Sequence, residues 1–285
     1  MKPAPFTYHA PRSVEQAVAL LGALAPEGGR ILAGGQSLVP IMAFRLAQPT
    51  HLIDINRIPG LDRVAVDGDR LSVGATVRHA AFHAWEAPGP LGGLLATVAA
   101  HIGHGPIRAR GTLCGSLAHA DPASEWCLVF STLGGEMIAH GSRGVRVIDA
   151  SVWFRGIMTT ALAEDEMLVE ARLKLPPDNA RFGFCEQSRR AGDFAMAMAL
   201  VTYRLADGRI TEPRVGIGGA EPVPRRIAAA EAALDGHAPE DATFARAADA
   251  AAAAVEPMAD KQIPITLRRD LIRASTRRAL RLSLQ

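Results

Sequence analysis

Cysteine is scarce in this 285-residue chain: there are three, Cys114, Cys127 and Cys185, and no two stand as CxxC. An odd number without that spacing excludes a disulfide framework, a zinc ribbon or an iron–sulfur site built by this chain, and it fits a reducing compartment. Charge of one sign is lacking too. The 31 Lys and Arg nearly balance the 29 Asp and Glu, for a net +2. No strong field therefore points to nucleic acid or to an anionic membrane. No apolar run approaches the roughly 18 residues of a membrane span. The alanine-rich windows near 228–234 and 248–254 are short and broken by charge. The opening MKPAPFTYHAPRS has no apolar stretch of the kind a secretory leader carries, so a cytoplasmic protein is expected.

Several ligand signatures are also missing. No GxGxxG is present: Gly103-His104-Gly105 runs into Pro106, and Gly216-Ile217-Gly218 meets Glu221 where the third glycine would fall. A Rossmann dinucleotide site is thereby disfavoured. There is no GxxxxGK[ST], and Ser37 sits in GQSLV rather than in a nucleophile elbow. His101 and His104 lie three apart with no carboxylate nearby, a pattern of surface histidines more than of a metal site.

What is present is a core and two glycine stretches. The chain is 48% hydrophobic and 21% charged, ordinary for a globular protein of two or three domains. Ile31 to Pro40, ILAGGQSLVP, places Gly34 and Gly35 after a short apolar run. Arg110 to Ser116, RGTLCGS, repeats the plan with Gly111 and Gly115 and with hydroxyls on Thr112 and Ser116. Glycine lets the backbone turn tightly and lets a ligand come close. Successive N–H groups then form a concave nest suited to phosphate. Two such nests suggest a diphosphate held from two sides. His119, Asp121 and Glu125 follow the second nest closely, as acids at a helix start or as polar contacts to a ligand.

The coarse element order is readable. Ser13 to Gln16 is a capping-box pattern ahead of a helix through Leu24. Strands are expected at 30–33 and 51–55, and a hairpin across Asp67-Gly68-Asp69. Helices are expected at 78–86, 91–102 and 124–133, with a loop at 103–106. Strands at 136–140, 145–149 and 167–175 follow. The double proline Pro176-Pro177 marks a boundary, giving domains at 1–177 and 178–285. Beyond it, strands at 182–187, 196–205 and 214–218 precede helices at 225–236, 241–254 and 264–282, a small α+β unit. Met196 and Met198 read as core. The arginine-rich final helix reads as a solvated face with Leu267, Leu271 and Leu280 turned inward.

AGGQSLVPIM, RLAQPTHLIDI, RGTLCGSLAHADPASEW and SRRAGDFAMA, in this order across nearly the whole chain, resemble the FAD-binding medium subunit of molybdenum hydroxylases, the group of carbon monoxide dehydrogenase and the bacterial relatives of xanthine dehydrogenase. The resemblance implies an α+β fold: a two-lobed, vanillyl-alcohol-oxidase-like FAD-binding domain (lobes about 1–57 and 58–177) and a C-terminal domain of a three-stranded sheet with three helices. It implies FAD in this chain, a large partner subunit with the molybdenum cofactor, a small one with two [2Fe–2S] clusters, and a dimer of heterotrimers. Electrons would arrive from the clusters and leave for an external acceptor.

By the same resemblance, Ala33, Gly34, Gly35, Gln36, Ser37 and Leu38 would wrap the diphosphate, and Thr112, Leu113, Cys114, Gly115 and Ser116 would form the second wall. Ala120 and Asp121 would join the site, with Glu125 near the ribityl end, Leu168 along the cofactor and Glu186 near the ring. Phe194 aligns where a tyrosine covers the isoalloxazine in the carbon monoxide dehydrogenase type; it keeps the stacking surface and loses the hydroxyl. No catalytic acid or base and no metal ligand is expected here.

Three positions depart from the family pattern. Cys114 replaces a common glycine, so its side chain must point away from the phosphates or the loop must shift. Gln36 replaces a frequent histidine, and both can donate a hydrogen bond. Glu186 replaces a frequent lysine, and a carboxylate near the ring would disfavour a reduced, anionic flavin. A stand-alone FAD oxidoreductase of the same superfamily and a non-enzymatic binding module remain as alternatives. Copurifying iron and molybdenum would separate the first from the subunit reading, and flavin absorbance would argue against the second.

Overall fold

The computed structural model describes residues 2–85, 89–261 and 263–285. The chain begins with a small parallel sheet. β1 (Thr7–His9) leads through α1 (Val14–Leu24) to β2 (Gly29–Leu32), which leads through α2 (Leu38–Ala43) to β3 (His51–Asp54). The strand order is β1-β3-β2, and both pairings are parallel. The capping box is real but lopsided. Ser13 Oγ accepts from Gln16 N at 3.2 Å, while the Gln16 side chain accepts from Arg12 N at 2.9 Å. The carboxyl ends of all three strands thus face the same way, where open α/β sheets commonly hold ligands.

A second, antiparallel sheet follows. β4 (Val64–Asp67) and β5 (Arg70–Gly74) form the expected hairpin, and α3 (Leu91–His101), α4 (Gly105–Arg108), α5 (Leu113–His119) and α6 (Glu125–Leu133) come next. β6 (Glu136–Gly141) and β7 (Gly144–Asp149) make a second hairpin, and β8 (Phe154–Gly156) with β9 (Thr159–Thr160) a small ribbon. β10 (Glu166–Lys174) enters the middle, giving the order β4-β5-β10-β6-β7. Its register shifts between Leu168 and Glu170, and a bulge of this kind bends a strand and re-aims its side chains.

The last part has one strand more than expected. β11 (Arg181–Gln187), β12 (Ala197–Ala206) and β13 (Arg209–Gly218) are joined on their edge by β14 (Arg225–Arg226). A two-residue strand carries no alternation to be read from sequence. α7 (Ala228–Leu234), α8 (Asp241–Ala254) and α9 (Ile265–Leu282) complete the chain. This sheet is buried on both faces. Phe184, Met198 and Leu200 belong to the core shared with α3 and α6, whereas Cys185, Ala197, Ala199 and Val201 face α7 to α9. Gly216 and Gly218, in β13, let α6 lie close: a Cβ on Gly216 would meet Thr132 Oγ1.

Other expectations are corrected by packing. The 103–106 loop opens directly into the single-turn α4, with Pro106 tolerated in its first turn. The helix expected at 78–86 is a 3-10 turn over His79–His83, and its end at residue 86 lies outside the described residues. On α9, Leu267 is 45% exposed and Arg268 is buried instead. Arg268 Nη2 reaches Asp260 at 3.2 Å and its Nη1 the Gly219 carbonyl at 3.4 Å, which turns that side of the helix inward. Three of the outer arginines are held within the chain: Arg273 pairs with Asp249 and Asp270 at 2.7 Å, and Arg277 and Arg281 pair with Asp241. Among the described residues, no helix is long and apolar enough to cross a membrane.

Candidate diphosphate site

β2 ends at Leu32 and the first glycine stretch turns away from the sheet there. Gly35 takes φ +72, and α2 starts at Leu38. Between them, among the described residues, the N–H groups of Gly35, Gln36, Ser37 and Leu38 donate to no protein acceptor. Gln36 Nε2 folds back onto the Gly34 carbonyl at 3.3 Å. Four successive free donors in a turn that ends in a helix start form an anion nest.

The second stretch faces the first. It is not a loop throughout: Leu113 to Ser116 form the first turn of α5. Thr112 caps that helix, accepting from Gly115 N at 3.0 Å. Thr112 is itself buried and bridged to Arg78 across strand-like backbone. The two stretches touch at Gly34, where a Cβ would lie 2.4 Å from the Arg110 carbonyl oxygen and 2.7 Å from Gly111 Cα.

A cavity of about 400 Å³ opens between them. Of the residues expected from sequence, Ala33, Gly34, Gly35, Gln36, Ser37, Leu38, Thr112, Cys114, Gly115, Ser116 and Leu168 line it. Cys114 contributes backbone: its Sγ lies in the core, 3.4 Å from the Val73 carbonyl, and burial pushes its thiol pKa up. The side chain therefore points away from the cavity, one of the two arrangements expected for a cysteine at this position. Leu113 is fully buried beneath the wall. Ala120 closes α5 in the left-handed conformation, and Asp121 Oδ1 accepts from Ala123 N at 2.8 Å.

Glu125, Glu186 and Phe194 lie outside the cavity lining. Glu125 opens α6 and Glu186 sits in β11. Burial, then the neighbouring Glu186 and Asp121, pushes the Glu125 carboxyl up to about 8. Burial alone raises Glu186 to about 7, and its Oε2 has no hydrogen-bond partner. Phe194 projects from the β11–β12 loop at 76% exposure, far more open than an ordinary core phenylalanine. Gly192 in the same loop, at φ +84, packs against His104. Among the described residues no group of His, Cys, Asp and Glu could hold a metal ion.

The Glu125 carboxyl gives a stability prediction. The folded chain holds the Glu125 proton more tightly than the unfolded chain, whose carboxyl titrates near 4.5. Between those values the native state binds more protons, so this contribution is full below about pH 4.5 and is lost as pH rises toward 8. Glu125→Gln is expected to flatten that loss. Unfolding free energies from urea titrations should match the parent at pH 5 and exceed it at pH 8.5 by roughly 1 to 2 kcal/mol, a fraction of the ceiling that about 1.4 kcal/mol per pH unit sets. Parallel pH curves for the two proteins would contradict it.

Residues that no motif indicated also shape the site. His79 lines the cavity and lies against Gly111. Its Nδ1 accepts from Trp126 Nε1 at 2.9 Å, and burial, aided by the Arg78 and Arg108 charges, pushes its pKa down to about 4. At neutral pH it is an uncharged packing group. Asn56 and Arg78, far apart in sequence, link the two stretches.

The family model described as the FAD binding domain in molybdopterin dehydrogenase matches residues 4–176, and the CO dehydrogenase flavoprotein C-terminal domain matches 182–282. The nicotine 6-hydroxylase medium subunit of Paenarthrobacter nicotinovorans is 37% identical over 280 residues, 98% of each chain. A chain of the carbon monoxide dehydrogenase from Hydrogenophaga pseudoflava is 35% identical and superposes with a TM-score of 0.94 over 100% of this chain and 99% of that one. A chain of quinoline 2-oxidoreductase from Pseudomonas putida 86 is 34% identical, with a TM-score of 0.94 over 99% and 98%.

Proposed function

Because the chain belongs to the FAD-binding medium subunits of molybdenum hydroxylases, we propose that its two glycine stretches hold the diphosphate of FAD and that the chain relays electrons within a larger complex. The observation that carries this reading is the nest of four free N–H groups facing the Thr112–Ser116 wall. Its donors suit the negative charge of a diphosphate, and the absence of side chains at Gly34 and Gly35 brings backbone to it. When bound, FAD supplies the redox chemistry that no side chain of this site can supply.

The chain's own residues bind and orient. Ala33 to Leu38 wrap the diphosphate, and Thr112 to Ser116 close over it. Ala120, Asp121 and Glu125 continue toward the ribityl end, and Leu168, re-aimed by its bulge, packs along the cofactor. Phe194 offers an open aromatic face to the ring, and Glu186 places a carboxyl that exchanges a proton near pH 7 beside it. In this reading residues 1–177 form the FAD-binding domain and 178–285 the domain that supplies Glu186 and Phe194.

The partners are a large subunit with the molybdenum cofactor and a small subunit with [2Fe–2S] clusters, in a cytoplasmic dimer of heterotrimers. Electrons pass from the clusters to FAD and on to an external acceptor. The test is an absorption spectrum and metal analysis of the native complex captured through a tag on this chain. FAD, iron and molybdenum with one larger and one smaller companion chain are expected. FAD alone, without metals or companions, would overturn the relay in favour of a self-sufficient flavoenzyme.

A further inference from the structure

Asn56 stands just beyond the carboxyl end of β3, and three groups determine how its amide lies. Its Nδ2 donates to the Ala33 carbonyl at 2.7 Å and to Asp54 Oδ1 at 2.5 Å. Its Oδ1 accepts from Arg78 Nη2 at 2.6 Å. A carbonyl and a carboxylate only accept and a guanidinium only donates, so one orientation of the amide satisfies all three. Asp54 is held in turn by the Tyr8 hydroxyl and by Asn56 N. The second arm of the Arg78 fork, Nη1, donates to the Arg110 carbonyl.

This chain of bonds has a definite pair of ends. Ala33 is the first residue of one nest and Arg110 the residue that opens the other. The Arg110 carbonyl oxygen is also the atom that a Cβ added to Gly34 would meet first. We propose that Arg78 is a positioning residue which, with Asn56, fixes the gap between the two glycine stretches and thereby sets the affinity for a ligand carrying a diphosphate. A planar fork can hold two acceptors at one spacing, whereas an ammonium on a flexible stem cannot. The proposal rests on the diphosphate reading of the cavity, and it concerns residues that do not themselves line it.

The test is titration of the full chain, freed of flavin, with FAD and separately with ADP as the diphosphate probe. Arg78→Lys and Asn56→Asp are each expected to weaken both ligands by the same factor, about 10- to 100-fold, the scale of one or two lost charged hydrogen bonds. The double variant should be no weaker than the worse single one, because both break one chain of bonds. Arg268→Lys, at a buried arginine remote in sequence and outside the cavity, serves as control: it should lower Tm and leave both affinities unchanged. Tyr8→Phe, a milder break at the exposed end of the network, should weaken both ligands two- to fivefold and covers the case where Arg78→Lys does not fold. Unchanged affinities in Tyr8→Phe and in either other variant would overturn the proposal, as would loss of FAD affinity with ADP affinity intact. An unsubstituted chain that binds neither ligand would contradict the diphosphate cradle itself.

Discussion

Replacing Gly34 with alanine will cost the chain its FAD, with affinity falling at least about 100-fold. The new methyl would sit 2.4 Å from the Arg110 carbonyl oxygen, 2.7 Å from Gly111 Cα and 3.0 Å from the Arg110 carbonyl carbon. All three atoms are backbone of the opposing stretch, so no flexible side chain can swing aside. Relief requires the two stretches to part by about 1 Å, and a displacement of that size is severe for pre-organised sites. The Arg110 carbonyl is tethered to Arg78, which resists the parting. Flavin content of the purified chain and an FAD titration check this. Gly22→Ala, in α1 with nothing within 4 Å of the added methyl, should retain FAD and gain roughly 0.5 to 1 kcal/mol of stability. Full flavin occupancy in Gly34→Ala would mean that the two stretches are not closed on each other in solution.

Gly183→Ala will destabilise the fold itself, by roughly 3 kcal/mol or more. Gly183 lies in β11 under α9, and its Cβ would come 1.8 Å from the Ala279 carbonyl oxygen and 2.7 Å from the carbonyl carbon. Helix and strand would have to separate along the seam where Ala279 and Leu280 are fully buried. A loss of that size corresponds to a Tm fall of roughly 6 to 12 °C in a chain of this length. Because the seam is remote from the nests, ADP affinity measured below Tm should stay at the parent value. An unchanged Tm would show that α9 does not press on β11 as described.

These two glycines also mark the limits of what sequence makes legible. Gly34 is legible as one half of a pair: a glycine pair alone is mostly just a turn, and the second glycine stretch at Arg110 to Ser116 is what makes the first suggest a diphosphate. Gly183 does not: in RFGFCEQ it reads as an interruption of a strand, and only the helix that crosses it explains it. The capping box at Ser13 and the Asp67-Gly68-Asp69 hairpin are local devices, so pattern is enough. The helical start of Leu113 to Ser116 is hidden by glycine and cysteine, and becomes visible through the Thr112 cap. Leu267 misleads because helical spacing alone cannot say where a helix overhangs its sheet. Arg268, one of an apparently solvated row, turns inward because Asp260 and the Gly219 carbonyl wait there.

The polar network is the least legible part. Tyr8, Asp54, Asn56 and Arg78 lie on strand ends and turns, and no spacing relates them. Only the parallel order β1-β3-β2, which gathers the carboxyl ends, and the bridge from Arg78 to Thr112 bring them together. The glycine stretches can be seen in the sequence as two nests, but not as two nests held at a fixed distance.

The most direct measurement is a comparison of FAD, FMN and riboflavin binding to the full chain freed of flavin, by flavin fluorescence. A cradle for a diphosphate predicts FAD bound one to one and at least about tenfold more tightly than FMN, with riboflavin weaker still and ADP displacing FAD. Equal affinity for FAD and FMN, or no displacement by ADP, would contradict the claim that the two glycine stretches hold the cofactor by its diphosphate.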